Sequence, residues 1–161
     1  MRARWAFGGM LAVIAVAAHA DDLTTYTTLT GRCTAVMTLG AAVDPARCAG
    51  RVVNVAFPSG RLGFMFLLNR SGEPEPVLFS FFGDAANRMH ADGVTAILPV
   101  DHVYFTVQGS TDDLPAAGSC SATDPRKGSP VRISCSADTA RGRFAGEFVG
   151  DGTLPEASQL R

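Results

Sequence analysis

Two pairs of cysteines at one spacing constrain this 161-residue chain more than any other feature. Cys33 and Cys48 lie fifteen residues apart, and Cys120 and Cys135 repeat the interval. Each interval holds an Asp-Pro step (Asp44-Pro45, Asp124-Pro125) and a glycine at or beside its midpoint (Gly40, Gly128). An even set of cysteines is a disulfide framework in an oxidising compartment and more often a metal or redox set elsewhere. The compartment therefore has to be read before the cysteines.

The N-terminal segment supplies that reading. Arg2 and Arg4 precede an almost wholly apolar run, Trp5 to Ala18, and Ala18-His19-Ala20 puts small residues where a signal peptidase reads them, just before Asp21-Asp22. This is the order of a secretory signal. The competing reading is a transmembrane anchor, but fourteen residues reach only about 21 Å as a helix, short of the roughly 20 residues a bilayer takes. Cleavage is expected near Ala20, leaving residues 21–161 as one domain in the periplasm or outside the cell, with no transmembrane span in the mature chain. Arg2 and Arg4 leave with the signal, so 12 basic residues, one of them lysine (Lys127), face 15 acidic ones. A mildly acidic domain lacks the basic stripe that nucleic acid requires, so no nucleic-acid partner is expected.

In an oxidising compartment four cysteines allow three connectivities. Local pairing, 33–48 and 120–135, places hairpin tips at Gly40-Ala41 and Lys127-Gly128, each with a residue that tolerates positive φ. Cross-links closing loops of this size contribute roughly 3 kcal/mol each. Zinc sites usually bring cysteines in C-x2-4-C pairs, and the redox motif is C-x-x-C; neither spacing occurs here.

The mature chain reads as short β runs separated by turns. Thr24 to Thr30, Thr34 to Leu39, Arg51 to Phe57, Leu62 to Leu68, Val77 to Phe82, His102 to Gln108, Val131 to Cys135 and Arg143 to Val149 carry the alternation or the β-rich composition of strands. One helical turn fits within Asp84 to His90. The expected fold class is all-β: a single antiparallel β-sandwich or small β-barrel with two disulfide-stapled hairpins. Gly60-Arg61-Leu62-Gly63-Phe64 after the first cysteine pair and Gly142-Arg143-Phe144-Ala145-Gly146 after the second leave an internal duplication open.

Two runs depart from alternation. Leu62 to Leu68 and Val77 to Phe82 are apolar on both faces, whereas a strand with one wet face shows a polar residue at every other position. Either they form a central hairpin covered on both sides, by a facing sheet and by residues 83–93, or they leave an apolar face or lumen for a ligand or partner. Phe64, Met65, Phe66, Phe79, Phe81 and Phe82 are the candidate residues of such a face.

The chemical candidates are fewer. His90-Ala91-Asp92 and Asp101-His102 would supply two imidazoles and two carboxylates to a divalent metal if the intervening loop folded back. A solvated His102 opposite Val103, Phe105 and Val107, with turn roles for His90 and Asp92, competes with that reading. Asp101, Asp112, Asp113 and Asp138 are carboxylates that a glycosidase could pair in a cleft. Gly109 to Pro115 reads as a capped turn leading to Cys120, or as an acidic calcium loop. Asn69-Arg70-Ser71 matches a glycosylation sequon and reads as a plain loop. The chain lacks a Gly-x-Ser-x-Gly elbow and a His-Glu-x-x-His helix. No cofactor is expected.

Val103-Tyr104-Phe105-Thr106, Gly109-Ser110-Thr111-Asp112-Asp113-Leu114-Pro115-Ala116, Ser134-Cys135-Ser136-Ala137 and Gly142-Arg143-Phe144-Ala145-Gly146 resemble a group of small, uncharacterised exported proteins of Gram-negative bacteria. The resemblance spans Asp101 to Asp151, about a third of the chain. It implies periplasmic or secreted residence and no activity. Two function classes follow: a non-enzymatic binding or inhibitor module, which inhibits a hydrolase, binds an envelope or extracellular protein or carries a small apolar ligand, or a metal- or carboxylate-dependent hydrolase of envelope material using His90, Asp92, Asp101 and His102. A pocket gathering those four side chains would favour the hydrolase; an apolar site with dispersed polar groups would favour binding.

Overall fold

The computed structural model describes residues 24–160 apart from 71, 125, 128 and 129. The expected signal (1–20), Ser71 of the sequon and Gly128 at the second expected hairpin tip lie outside the described residues. In chain order the strands are β1 (Thr24–Thr38), β2 (Ala41–Val43), β3 (Cys48–Ala56), β4 (Arg61–Leu68), β5 (Val77–Asp84), β6 (Met89–His90), β7 (Thr95–Val107), β8 (Ser110–Thr123), β9 (Arg132–Thr139), β10 (Gly142–Gly150) and β11 (Glu156–Leu160). Eight of them close on themselves. β1, β3, β4, β5, β7, β8, β9 and β10 each lie antiparallel to the next, and β10 returns to pair with Gly31–Met37 of β1. That last ladder decides the choice between sandwich and barrel in favour of the barrel. β11 pairs with Thr24–Thr28 of β1, while β2 and β6 are short additions to β1 and β7.

Strand alternation sorts the side chains by side of the wall. Inward, the described residues include Leu29, Val52, Val103 and Ile133 and a plug of phenylalanines, Phe66, Phe79, Phe81, Phe105, Phe144 and Phe148, all of them buried. The rings meet in tilted, stacked and edge-to-face pairs: Phe66–Phe79 at 5.1 Å, Phe79–Phe81 at 5.8 Å and Phe105–Phe144 at 5.3 Å between centroids. Outward on β8 and β9 stand Asp113, Ser119, Arg132, Ser134, Ser136 and Asp138, all exposed. A lipid-facing band would be apolar at those positions. No helix among the described residues is long and apolar enough to cross a membrane.

Both disulfides form with the local pairing, Cys33–Cys48 and Cys120–Cys135. The second staples a hairpin as expected, because Cys120 and Cys135 are direct partners across β8 and β9. The first does not. Cys33 is the ladder partner of Phe148, and Cys48 of Leu68. β2 and a 3-10 turn, Pro45–Arg47, intervene, and the tip is Leu39-Gly40, one residue earlier than expected, with φ of 52° and 80°. Both values suit a two-residue turn of the type whose twist matches antiparallel strands. The Cys33–Cys48 link thus sits along β1 between the end of its β3 ladder at Thr30 and the start of its β2 ladder at Val36.

The other 3-10 turn, Ala85–Asn87, lies where a helical turn was expected, and Asp84 Oδ1 accepts the Ala86 N–H at 2.8 Å to cap it. Gly109 to Pro115 is a correction. The turn there is Gln108-Gly109, and Ser110 opens a 14-residue strand. The duplication is also overturned. Around the barrel the first stapled pair starts at strand one and the second at strand six, so β1 and β8 run in opposite directions while both proceed the same way round the wall. No rotation superposes two such units with their cysteines kept inside.

Candidate functional site

The aromatic plug fills the barrel only toward the end that carries the Leu39-Gly40 and Gln108-Gly109 turns. At the other end the inward residues shrink to Ala96 and Ala122, and a cavity of about 330 Å³ remains. Its walls are Leu29, Leu62, Phe64, Leu98, Cys120, Val131 and Ile133, with Thr27 and Asn54 as polar points. Asn54 Nδ2 donates to the Gly63 carbonyl at 2.9 Å, which ties its amide to the wall. The mouth is formed by the β5–β7 connection (Arg88, His90, Gly93, Val94), the β8–β9 connection (Asp124, Lys127) and Pro155 before β11.

The six aromatic and methionine candidates do not share one face. Period two turns successive residues to opposite sides, so Phe64 lines the cavity, Phe66, Phe79 and Phe81 form the plug beneath it, and Met65 and Phe82 lie outside. Outside, Phe82 and Met65 share a shallow groove with Phe57, Leu78 and Tyr104. The Phe82 ring covers Gly63, where an added Cβ would come within 2.6 Å of it, and packs on Phe57 at 5.6 Å and edge-on to Tyr104 at 5.4 Å. The doubly apolar strands are therefore covered outside by their own aromatic rings, not by residues 83–93, which border the cavity mouth instead.

The four His and Asp candidates separate as well. His90, opposite Ala96, points to the cavity mouth. Asp92 Oδ1 accepts the Val94 N–H at 2.7 Å and the Thr95 N–H, and those backbone donors hold its pKa below the ordinary carboxylate value. Asp101 and His102 project together from the outer face, because a bulge between Val100 and His102 lets consecutive residues face one way. No group of three or more His, Cys, Asp or Glu side chains able to hold a metal forms among the described residues. Of the other carboxylates, Asp112 pairs with Arg141 and Asp138 with Arg143 at 2.8 Å.

Arg61 reaches Asp101 with two hydrogen bonds, 2.7 and 2.5 Å, and His102 Nδ1 lies 2.9 Å from Asp101 Oδ1. His102 Nε2 stands 3.9 Å from Asp113, beyond hydrogen-bond reach. The Arg61 hydrogen bonds, with help from His102, hold the Asp101 pKa at about 2 instead of 3.8. A depressed carboxylate pKa stabilises the fold above the unfolded value, near 4, and that stabilisation disappears as pH falls toward 2. The side chain is 51% exposed, so screening limits the contribution to about 1 kcal/mol or less. Asp101→Asn is expected to lose that amount at pH 7 and only a small part of it at pH 2, where Asp101 is half protonated, measured by urea unfolding at both; an equal loss at both pH values would separate the effect from Asp101 ionisation.

Comparison with known protein families, curated proteins and solved structures finds no match. The class is defined by geometry alone: a disulfide-linked, eight-stranded antiparallel barrel with an apolar cavity open at one end. Sequence reasoning missed Leu29, Leu98, Ile133, Arg88 and Lys127 as cavity residues. The structure sets two small residues, Ala96 and Ala122, opposite each other on β7 and β8 where these residues leave space, a pairing that neither sequence segment discloses alone.

Proposed function

We propose that this protein is an exported, non-enzymatic carrier that holds one small apolar molecule inside its barrel. The observation that carries the reading is the cavity. Its 330 Å³ lies at the low end of the roughly 300–1,000 Å³ typical of sites for small organic molecules. Eight strands leave an interior just wide enough either to be filled by side chains or to hold one small ligand, and this barrel divides its length between the two. The scattering of His90, Asp92, Asp101 and His102 supports binding over hydrolysis. Export and cleavage near Ala20 are part of the proposal, supported by two disulfides of the kind that persist in oxidising compartments.

Titration of the oxidised protein with the neutral apolar fluorophore N-phenylnaphthylamine tests the reading. Saturable one-to-one binding is expected, weakened at least tenfold in Ala122→Phe, whose ring would occupy the cavity, and unchanged in Met65→Ser on the outer groove. Urea midpoints close to that of the parent protein show that both variants are folded. Binding that survives Ala122→Phe, or none at all, would refute the carrier reading.

A further inference from the structure

We infer that the molecule held in the cavity is an anionic amphiphile, its apolar chain toward Phe64, Leu98 and Ile133 and its charged head at the mouth. The inference rests on the carrier reading and adds the chemistry of the entrance. Arg88, His90 and Lys127 all border the opening, and none of their side chains makes a hydrogen bond or ion pair among the described residues. The acidic groups at this end are differently placed. Asp124 Oδ1 accepts the Arg126 N–H at 2.9 Å, Asp84 Oδ1 the Ala86 N–H at 2.8 Å, and Asp92 Oδ1 the Val94 N–H at 2.7 Å. Asp151 Oδ1 accepts from Thr153 N at 2.8 Å and Thr30 Oγ1 at 3.1 Å. Glu156 is the ladder partner of Thr28, whose position in β1 faces outward. Each aspartate thus has one carboxylate oxygen engaged with its own turn or a neighbouring strand, while the Arg88 and Lys127 side-chain donors remain available to a ligand.

An apolar chain alone would leave the Arg88 guanidinium and the Lys127 ammonium beside a hydrophobic opening, with Asp124 the one carboxylate among the described residues that line it. A carboxylate or phosphate at the end of that chain accepts their donors where long Arg and Lys side chains keep their heads in water. The ligand chemistry is therefore one apolar chain ending in an anion, whether a free fatty acid or a single-chain anionic lipid.

Calorimetric titration of the oxidised full domain with decanoate, decanol and lysophosphatidylglycerol tests this. Decanoate is expected to bind at least tenfold tighter than decanol, and Arg88→Glu/Lys127→Glu to remove that advantage while leaving decanol affinity unchanged. Lysophosphatidylglycerol binding tighter than decanoate would assign the anion to a lipid; weaker binding would assign it to a free acid, and either agrees with the inference. Equal affinity for decanoate and decanol would overturn the inference and leave the carrier reading standing. Failure of both to bind, together with failure of N-phenylnaphthylamine, would overturn the carrier reading itself.

Discussion

Reducing both disulfides is expected to cost this domain about 6 kcal/mol and to leave it unfolded or nearly so. Each bond closes a separation of 15 residues, for which loss of unfolded-chain entropy stabilises the fold by roughly 3 kcal/mol. The two loops, 33–48 and 120–135, share no residues and lie in different parts of the barrel wall, so their effects should add. Domains of this size are stable by only about 5–15 kcal/mol in total. The bonds also sit where the barrel is least able to do without them. Cys33–Cys48 clamps β1 between its β3 and β2 ladders, and Cys120–Cys135 joins direct ladder partners that are 0% and 2% exposed. Urea unfolding of the oxidised protein, the reduced protein and the paired variants Cys33→Ala/Cys48→Ala and Cys120→Ala/Cys135→Ala measures the terms separately. Midpoint shifts worth less than about 1 kcal/mol for both pairs would contradict the entropic account.

How far the fold could be read in advance depended on whether local chemistry and tertiary contact agreed. Arg51 to Ala56, His102 to Val107 and Arg143 to Val149 alternate cleanly and lie in strands, with Phe57 and Gln108 one residue past the strand ends, and the cysteine spacing pointed to the right partners. β8 was missed because Asp112, Asp113, Pro115 and Gly118 are poor strand formers. Strand pairing overrides that preference, since β7 pairs with β8 along nearly its whole length and β9 joins from Ala116 to Ala122. Pro115 is accommodated opposite His102, beside the bulge that interrupts the β7 ladder. The first hairpin tip was misplaced because a 3-10 turn and β2 occupy part of the interval that a simple hairpin would have filled. The site was less legible still. A cavity is a difference of volumes between side chains that meet from six strands of the barrel, and no window of sequence contains Leu29, Leu98 and Ile133 together. Treating Phe64 to Phe82 as one face failed for a simpler reason: strands send neighbours to opposite sides.

Phe66→Ala is expected to destabilise the oxidised protein by about 4 kcal/mol, the middle of the roughly 3–5 kcal/mol range for removal of a buried phenylalanine. The ring is 0% exposed, stacks on Phe79 at 5.1 Å and meets Phe81 edge-on at 5.9 Å. Its other neighbour is Gly146, where an added Cβ would lie only 2.6 Å from the ring. A glycine has no side chain to lean into the void, and β10 is fixed between β9 and β1, so the site collapses poorly and the cavity term stays large. The same contact predicts the converse substitution. Gly146→Val drives a branched side chain into a ring that cannot retreat and should cost about 1–3 kcal/mol. Combined, the two changes relieve each other, because the valine fills space the phenylalanine has left. A double-mutant cycle on urea unfolding free energies should give a favourable coupling of at least about 1 kcal/mol, the size expected of residues in direct contact. Strict additivity would mean that Phe66 and Gly146 do not face each other across the barrel, and with that the placement of the plug beneath the cavity would fail.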